Sequence, residues 1–358
     1  MSRYVIDEKL LKENIELVKN KAGVELIGVV KGNGYGFGIK ELTKILKSSG
    51  IKTFAVTEVD DIKDIKEVID NEDILVMRST GIEDEARIIA ENGCIATIGS
   101  LCSAEIMNKV SALLGVKTKC HLKIDTGMGR YGFMPSEVED AIKCYDFENL
   151  EFIGAYTHFS SAFRNVALTK TQLALFKDTM EQIKKAGKEV GVLHASNSPA
   201  LLNIDDVCLD RVRIGSAFTG RVITNNTAVK LNRIGSLEAD VIEVKTVPKG
   251  YSIGYNGLYT TKRETKIAIV PIGHYDGFGL TKEKEIADFH SVLSQFKKYI
   301  NKKQMYVKIN GRMYSVIGEI GLSHTAVDVT DSDVKVGDLA SVDISPLMVN
   351  PRIKRIYK

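Results

Sequence analysis

No run in this chain approaches the roughly 20 consecutive apolar residues that a membrane-spanning helix requires, so the sequence predicts no such helix. The opening, Met1-Ser2-Arg3-Tyr4-Val5-Ile6-Asp7, lacks the long apolar segment of a secretory signal. Neither sign of charge is in surplus. The 49 basic and 46 acidic residues are interspersed and leave a net +3, which excludes the basic footprint of a nucleic-acid-binding surface. Lysine-rich stretches such as Phe296-Lys297-Lys298-Tyr299 read as solvated faces. Cysteine is sparse: Cys94, Cys102, Cys120, Cys144 and Cys208 are scattered, odd in number and without metal-ligand spacing. No metal centre is expected, and a reducing cytoplasm fits. Internal repeats and low-complexity tracts are also missing.

What is present is an ordinary soluble composition, 44% hydrophobic and 27% charged over 358 residues, a length comfortable for two domains. Short apolar, β-rich runs recur at 26–31, 53–58, 73–79, 94–100, 120–125, 152–160, 190–196 and 212–217. Between them lie amphipathic segments with apolar residues at helical spacing, among them 39–49, 82–92, 103–114 and 169–186. Eight βα units in about 200 residues predict an α/β fold, a closed parallel (β/α)8 barrel of the TIM type. Near residue 233 the helical pattern thins. Alternating stretches at 239–246, 266–272, 304–309, 313–317 and 326–329, punctuated by turns such as Asn310-Gly311, predict a mostly β second domain. The expected division is 1–232 and 233–358, with one helix-like insertion at 282–300.

Active sites of βα barrels form at the carboxyl ends of the strands. There the chain places Lys31 in Val29-Val30-Lys31-Gly32-Asn33-Gly34-Tyr35-Gly36, Arg130 after Lys123-Ile124-Asp125-Thr126-Gly127-Met128-Gly129, and His158. The last two strands add Asn197 and Ser198, then Arg213, Gly215 and Ser216. A lysine delivered by an apolar strand into a glycine-rich loop suits Schiff-base formation with an aldehyde cofactor. Loops after strands seven and eight commonly cradle phosphate, and Ser198, Gly215 and Ser216 offer small hydroxyls and backbone N–H groups for it. Each residue alone has a plainer role. Lys31 can be solvated, Asn197-Ser198 a helix cap, His158 a satisfied strand-end histidine, and Tyr35 or Tyr255 a packing residue. Their convergence on one rim points to pyridoxal 5′-phosphate.

Through these segments the chain resembles the bacterial alanine racemases, fold-type III pyridoxal phosphate enzymes. The resemblance spans nearly the whole sequence. It includes His121-Leu122-Lys123-Ile124-Asp125-Thr126-Gly127-Met128-Gly129-Arg130, His194-Ala195-Ser196-Asn197-Ser198, Val212-Arg213-Ile214-Gly215 and Ile253-Gly254-Tyr255-Asn256-Gly257-Leu258-Tyr259. It implies that Lys31 holds the cofactor and serves as one base. Tyr35, Ser198 and the backbone at Gly215 and Ser216 would bind its phosphate, with His158 near the pyridine ring and Arg213 on the pyridine nitrogen. Arg130 would meet the cofactor's phenolic oxygen and the substrate carboxylate. Lys123 would be either carbamylated, orienting Arg130, or unmodified and paired with Asp125. Tyr255 would be the second base, contributed by the other subunit of a homodimer.

Three departures fall at the substrate entrance. His274 stands where the family has a tyrosine, Gly321-Leu322-Ser323-His324 replaces its Cys-Met-Asp-Gln, and Pro351 aligns with its C-terminal tyrosine. The resemblance therefore implies racemisation of alanine or of a related amino acid, serine or a larger polar one, met by His274, Leu322, Ser323 or His324. The rival functions are a non-catalytic pyridoxal phosphate carrier, which would lack the β domain, and a fold-type III decarboxylase, which would place an acidic group where Arg213 stands.

Overall fold

Apolar runs of four to seven residues, too short for helices and bounded by turn formers, build the strands of the first half of the chain. In the computed structural model of the protein, which describes residues 1–222, 224, 229–257, 259–280 and 304–358, a first strand, β1 (Arg3–Ile6), precedes them. Then come β2 (Glu25–Val29), β3 (Thr53–Val56), β4 (Asp73–Ser79), β5 (Ile95–Ile98), β6 (Thr118–Lys123), β7 (Leu150–Tyr156), β8 (Val192–His194) and β9 (Arg211–Ile214). These eight pair in parallel in chain order, and β9 pairs with β2 to close a barrel among the described residues. Each overlaps one of the runs picked out in the sequence. Parallel strands are covered on both faces, which is why β3 and β5 read as continuous apolar stretches and are buried at every position. Ile27, Val29, Ala55, Leu75, Met77 and Ile95 fill part of the interior.

The intervening helices bury one stripe each. Ile39–Ser48 turns Ile39, Leu42, Ile45 and Leu46 inward, and each such leucine contributes about 1.5–3 kcal/mol by leaving water. Leu101–Leu114 starts at a capping box in which Ser100 accepts from the Ser103 N–H, and it ends at Gly115 with φ 65°.

The chain divides into two units, Glu8–Ile234, and Met1–Asp7 with Gly235–Lys358. The sequence places residues 1–7 with the barrel; the structure corrects this. Tyr4, Val5 and Ile6 are apolar and buried, and β1 finds its edges in the second unit, antiparallel to β10 (Ser236–Asp240) and parallel to the last strand. That unit continues through β11 (Glu243–Val247), β12 (Ser252–Ile253), β13 (Tyr259–Thr260), β14 (Thr265–Val270), β15 (Tyr306–Ile309), β16 (Arg312–Ile317), β17 (Thr325–Asp328), β18 (Leu339–Val342) and β19 (Lys354–Tyr357). Nine strands form one sheet in the order β11-β14-β17-β16-β15-β18-β10-β1-β19, and β12 and β13 form a separate hairpin. Asn310-Gly311 makes the β15–β16 turn with both φ angles positive, 46° and 87°. The helix-like insertion expected at 282–300 lies outside the described residues. Among the described residues no helix is long and apolar enough to cross a membrane.

Candidate active site

Lys31 sits just beyond β2, at the head of a turn wound in the left-handed sense. Gly32, Asn33 and Gly34 have φ of 63°, 53° and 61°, followed by Tyr35 at 53° and Gly36 at 85°. Glycine adopts this region freely and asparagine tolerates it, while the Asn33 side chain accepts from the Ile39 N–H at 3.0 Å. Tyr35 pays about 1–2 kcal/mol for the same conformation. Its ring lies against Gly215, where any Cβ would overlap the ring and its hydroxyl. Burial pushes the Tyr35 phenol up to about 12, so it remains a hydrogen-bond donor.

The turn opens on a cavity of about 190 Å³ lined by Lys31, Tyr35, Arg130, His158, Asn197, Ser198, Arg213, Gly215 and Ser216. The barrel residues expected at the rim thus meet in one place, with Lys123 buried behind them. Desolvation lowers the Lys31 pKa from its ordinary value, and the cations of Arg130 and Arg213 lower it further. The amine is biased toward its neutral, nucleophilic form.

Beyond β9, which neighbours the Lys31 strand, small hydroxyl and backbone groups meet. The Ser198 hydroxyl lies 3.3 Å from the Gly215 N–H and 3.2 Å from the Ala217 N–H, accepting from both. Asn197 uses its side-chain oxygen to cap the short helix Ser198–Asn203, accepting from the Ala200 N–H at 3.1 Å.

Arg213 is 3% exposed and forms no ion pair among the described residues. Its Nη2 donates to the Thr157 carbonyl at 2.7 Å and the Ala195 carbonyl at 2.9 Å, and stands 3.3 Å from His158 Nδ1. Its Nη1 donates to the His194 carbonyl at 3.1 Å and to His194 Nδ1 at 2.7 Å. A guanidinium only donates, so His194 Nδ1 accepts and carries its proton on Nε2. That proton is donated to His121 Nδ1 at 2.9 Å. His121 is therefore protonated on Nε2, a buried atom with no partner among the described residues. Burial, then the neighbouring arginines, hold His121 down at about 3 and His158 at about 2, and push His194 well below its usual range. All three imidazoles are neutral, while Arg213, lowered to about 10, stays charged. The Tyr156 ring stacks on His194 and lies under Arg213 at 4.9 Å. Tyr156 was not among the residues expected from sequence, although its place at the end of β7, two residues before His158, was a usable signal.

Lys123 is 1% exposed. It donates to the Ile124 carbonyl at 2.7 Å and lies 5.2 Å above the Tyr156 ring centre. Desolvation, then Arg213, lowers it to about 7. The alternative pairing with Asp125 does not form, because that carboxylate accepts from the N–H groups of Gly127, Met128, Gly129 and Arg130. The exposed Arg130 guanidinium rests 4.8 Å from the Tyr131 ring centre and makes no ion pair among the described residues.

In the second unit Tyr255 is 71% exposed, on the turn between β12 and β13. It shares a pocket of about 480 Å³ with Leu322, Ser323, His324, Lys245 and Glu319. The Gly321 and Leu322 carbonyls accept from the His274 and Tyr275 N–H groups at 3.0 and 2.8 Å, and Gly273 packs against them with no room for a Cβ. This locks the two loops together. His274 Nδ1 donates to the Phe278 carbonyl at 2.9 Å, and its side chain does not line the Tyr255 pocket. Beside Pro351, Arg352 donates to the Tyr275 hydroxyl at 3.3 Å. This phenol was not singled out in the sequence.

Comparison with known proteins gives consistent matches. The profile of the alanine racemase N-terminal domain matches residues 6–222, and that of the alanine racemase C-terminal domain matches residues 234–345. An alanine racemase of Methanococcus maripaludis is 31% identical over 94% of this chain and 87% of its own length. Among solved structures, alanine racemase of Clostridium difficile is 26% identical with a TM-score of 0.88, covering 100% of this chain and 95% of its own. That of Bartonella henselae, described with covalently bound pyridoxal phosphate, shares the fold at 22% identity and a TM-score of 0.82, covering 100% and 99%.

Proposed function

The chain belongs to the alanine racemase family, and on that footing we propose that it interconverts the L and D forms of alanine or of a related amino acid, serine or a larger polar one, with pyridoxal 5′-phosphate held at Lys31. The observation that carries the proposal is the amine of Lys31, kept toward its neutral form in a cavity that it lines together with Tyr35, Ser198, Gly215 and Ser216. The cofactor fits that cavity. A Cβ at Gly215 would close the cup against Tyr35, and the donor set suits a phosphate. When bound, the cofactor supplies an aldehyde that captures an amine and a conjugated ring that acidifies the α-hydrogen.

The chain's own residues do the rest. Tyr35, Ser198 and the backbone at Gly215 and Ser216 would hold the phosphate. Arg213 would face the ring nitrogen as a donor that keeps its own proton, and so would favour the unprotonated nitrogen and a weaker electron sink. Arg130 grips the substrate carboxylate with a fork suited to it. Lys31 moves the proton on one face of the α-carbon and Tyr255 on the other, since inversion needs a base on each side. We assign Tyr255 to the neighbouring subunit of a homodimer, which its 71% exposure supports. Lys123, lowered to about 7, has the neutral amine that carbamylation requires, and the resulting anion would orient Arg130. Five free thiols support a reducing compartment such as the cytoplasm.

Two results test the proposal. Borohydride reduction followed by peptide mapping should place the reduced cofactor on Lys31, and another site would overturn the assignment. A panel of L-amino acids assayed for D-product should show turnover of alanine, of serine or of a larger polar member. Turnover of alanine alone would remove the broader specificity. A cofactor-loaded protein that racemises nothing would indicate a carrier. The match to the alanine racemase C-terminal domain favours the enzyme over that reading.

A further inference from the structure

Arg130 lies in a loop at 125–133 whose two ends are tied together. The Asp125 N–H donates to the Phe133 carbonyl at 2.8 Å, the Phe133 N–H donates to the Lys123 carbonyl at 2.9 Å, and Ile124 bridges Phe133 in parallel. Gly132, at φ 121°, passes so close that a Cβ would stand 2.8 Å from the Asp125 nitrogen. Inside this frame one carboxylate gathers four consecutive backbone donors. Asp125 Oδ1 accepts from Gly127 at 2.9 Å, Met128 at 2.7 Å and Gly129 at 3.2 Å, and Oδ2 accepts from Arg130 at 2.9 Å. Gly127 and Gly129, at φ 118° and 69°, allow the chain to curl so that these N–H groups turn inward. The loop's base has its own support. Buried Gln172 donates to the Thr126 carbonyl at 3.3 Å and accepts from the Ser160 N–H at 3.1 Å, and the Thr126 and Thr157 hydroxyls meet at 2.8 Å.

We propose that Asp125 is a positioning residue that fixes Arg130 for the carboxylate of the amino acid, acting through the Oδ2 bond to the Arg130 N–H; this rests on the reading of Arg130 as the carboxylate grip. Arg130 itself has an exposed side chain that meets the Tyr131 ring and makes no ion pair among the described residues, so its backbone contributes to its aim alongside any anion formed at Lys123. Four ordered residues cost backbone entropy that one charged acceptor offsets. Because Gln172 and the Phe133 bonds hold the base independently, losing the carboxylate loosens 127–130 and leaves the barrel standing.

Asp125→Asn tests this with little change of shape. The side-chain oxygen keeps the three Oδ1 bonds, and the new amide opposes the Arg130 N–H donor to donor. In the cofactor-loaded enzyme the KM for the amino acid should rise about tenfold, the scale of one lost charge-assisted hydrogen bond, with kcat changed far less and cofactor retention unchanged. Acetate, a bare carboxylate, should weaken as a ligand by the same factor. In an Arg130→Lys background the same substitution should add about twofold or less. An unchanged KM in folded Asp125→Asn would overturn the proposal. A tenfold rise that persists in the Arg130→Lys background would too, since it would mark a general structural role. If Asp125→Asn does not fold, Asp125→Ser carries the same readouts. A wild-type protein that racemises nothing would instead defeat the proposed function, and calorimetric titration of acetate into wild type and variant would still decide the role of Asp125.

Discussion

His121 shows how the charge at the site reaches a side chain at a distance from it. It does not line the cavity, yet its Nδ1 accepts the proton that Arg213, by donating to His194 Nδ1, leaves on His194 Nε2. Replacing His121 with leucine leaves the buried His194 Nε2–H unpaired, at a cost of about 1–3 kcal/mol. Chemical denaturation at pH 7.5 should register that loss, and an unchanged stability would contradict the hydrogen-bonded chain. A second signature is acid sensitivity. His121 binds its proton at about 3 in the folded protein and near ~6.5 when unfolded. Between those values the unfolded state holds more protons, so stability is complete above the upper value and falls as pH drops toward the lower one. His121→Leu should flatten this slope by about 1.4 kcal/mol per pH unit near pH 5. His121 was legible in the sequence only as part of a matching segment. Its inward direction depends on the barrel's closure, which one strand does not reveal.

Among the elements, the left-handed turn at 32–36 and the β9 loop make one device. The turn swings the Tyr35 ring across Gly215, and glycine there leaves the cup open. Gly215→Ala should keep the barrel's circular dichroism but lower cofactor affinity more than tenfold, because a Cβ overlapping the Tyr35 ring must push it from its place. Retained affinity would show that the ring yields freely. The barrel strands were legible because parallel strands buried on both faces leave unbroken apolar runs, as at β3 and β5. Helix starts were less so. The sequence begins one helix at 103 and another at 169, whereas the structure starts them at Leu101 and Val166, where Ser100 and Asn165 cap the first turn. Apolar periodicity does not register a cap. β1 was misplaced for a different reason: its partners β10 and β19 lie more than 200 residues away, and a short apolar strand carries no record of which edge it joins.

For the whole molecule the decisive issue is where the second base comes from. Lys31 belongs to the unit Glu8–Ile234 and Tyr255 to the unit that contains Gly235–Lys358, so the two proposed bases lie in different units of the chain. A large exposed phenol on a turn is poorly used as packing, and it becomes a base only where neighbouring charges lower its pKa from near ~10. In the proposed homodimer such charges would be those of a barrel cavity lined by Lys31, Arg130 and Arg213. Subunit sharing can be tested by mixing two dead variants, Lys31→Ala and Tyr255→Phe. Each homodimer lacks one base at both sites. A hybrid dimer, if the bases come from different subunits, has one site with both bases and one with neither. Random exchange should then restore about a quarter of wild-type activity, since about half the dimers are hybrids with one competent site each. If both bases come from a single chain, every site in every dimer lacks one, and mixing restores nothing. Cofactor retention separates a third case. Tyr255→Phe should keep its pyridoxal phosphate, because Lys31 and the phosphate cup are untouched. Loss of cofactor from that variant would mean that Tyr255 supports binding rather than proton transfer.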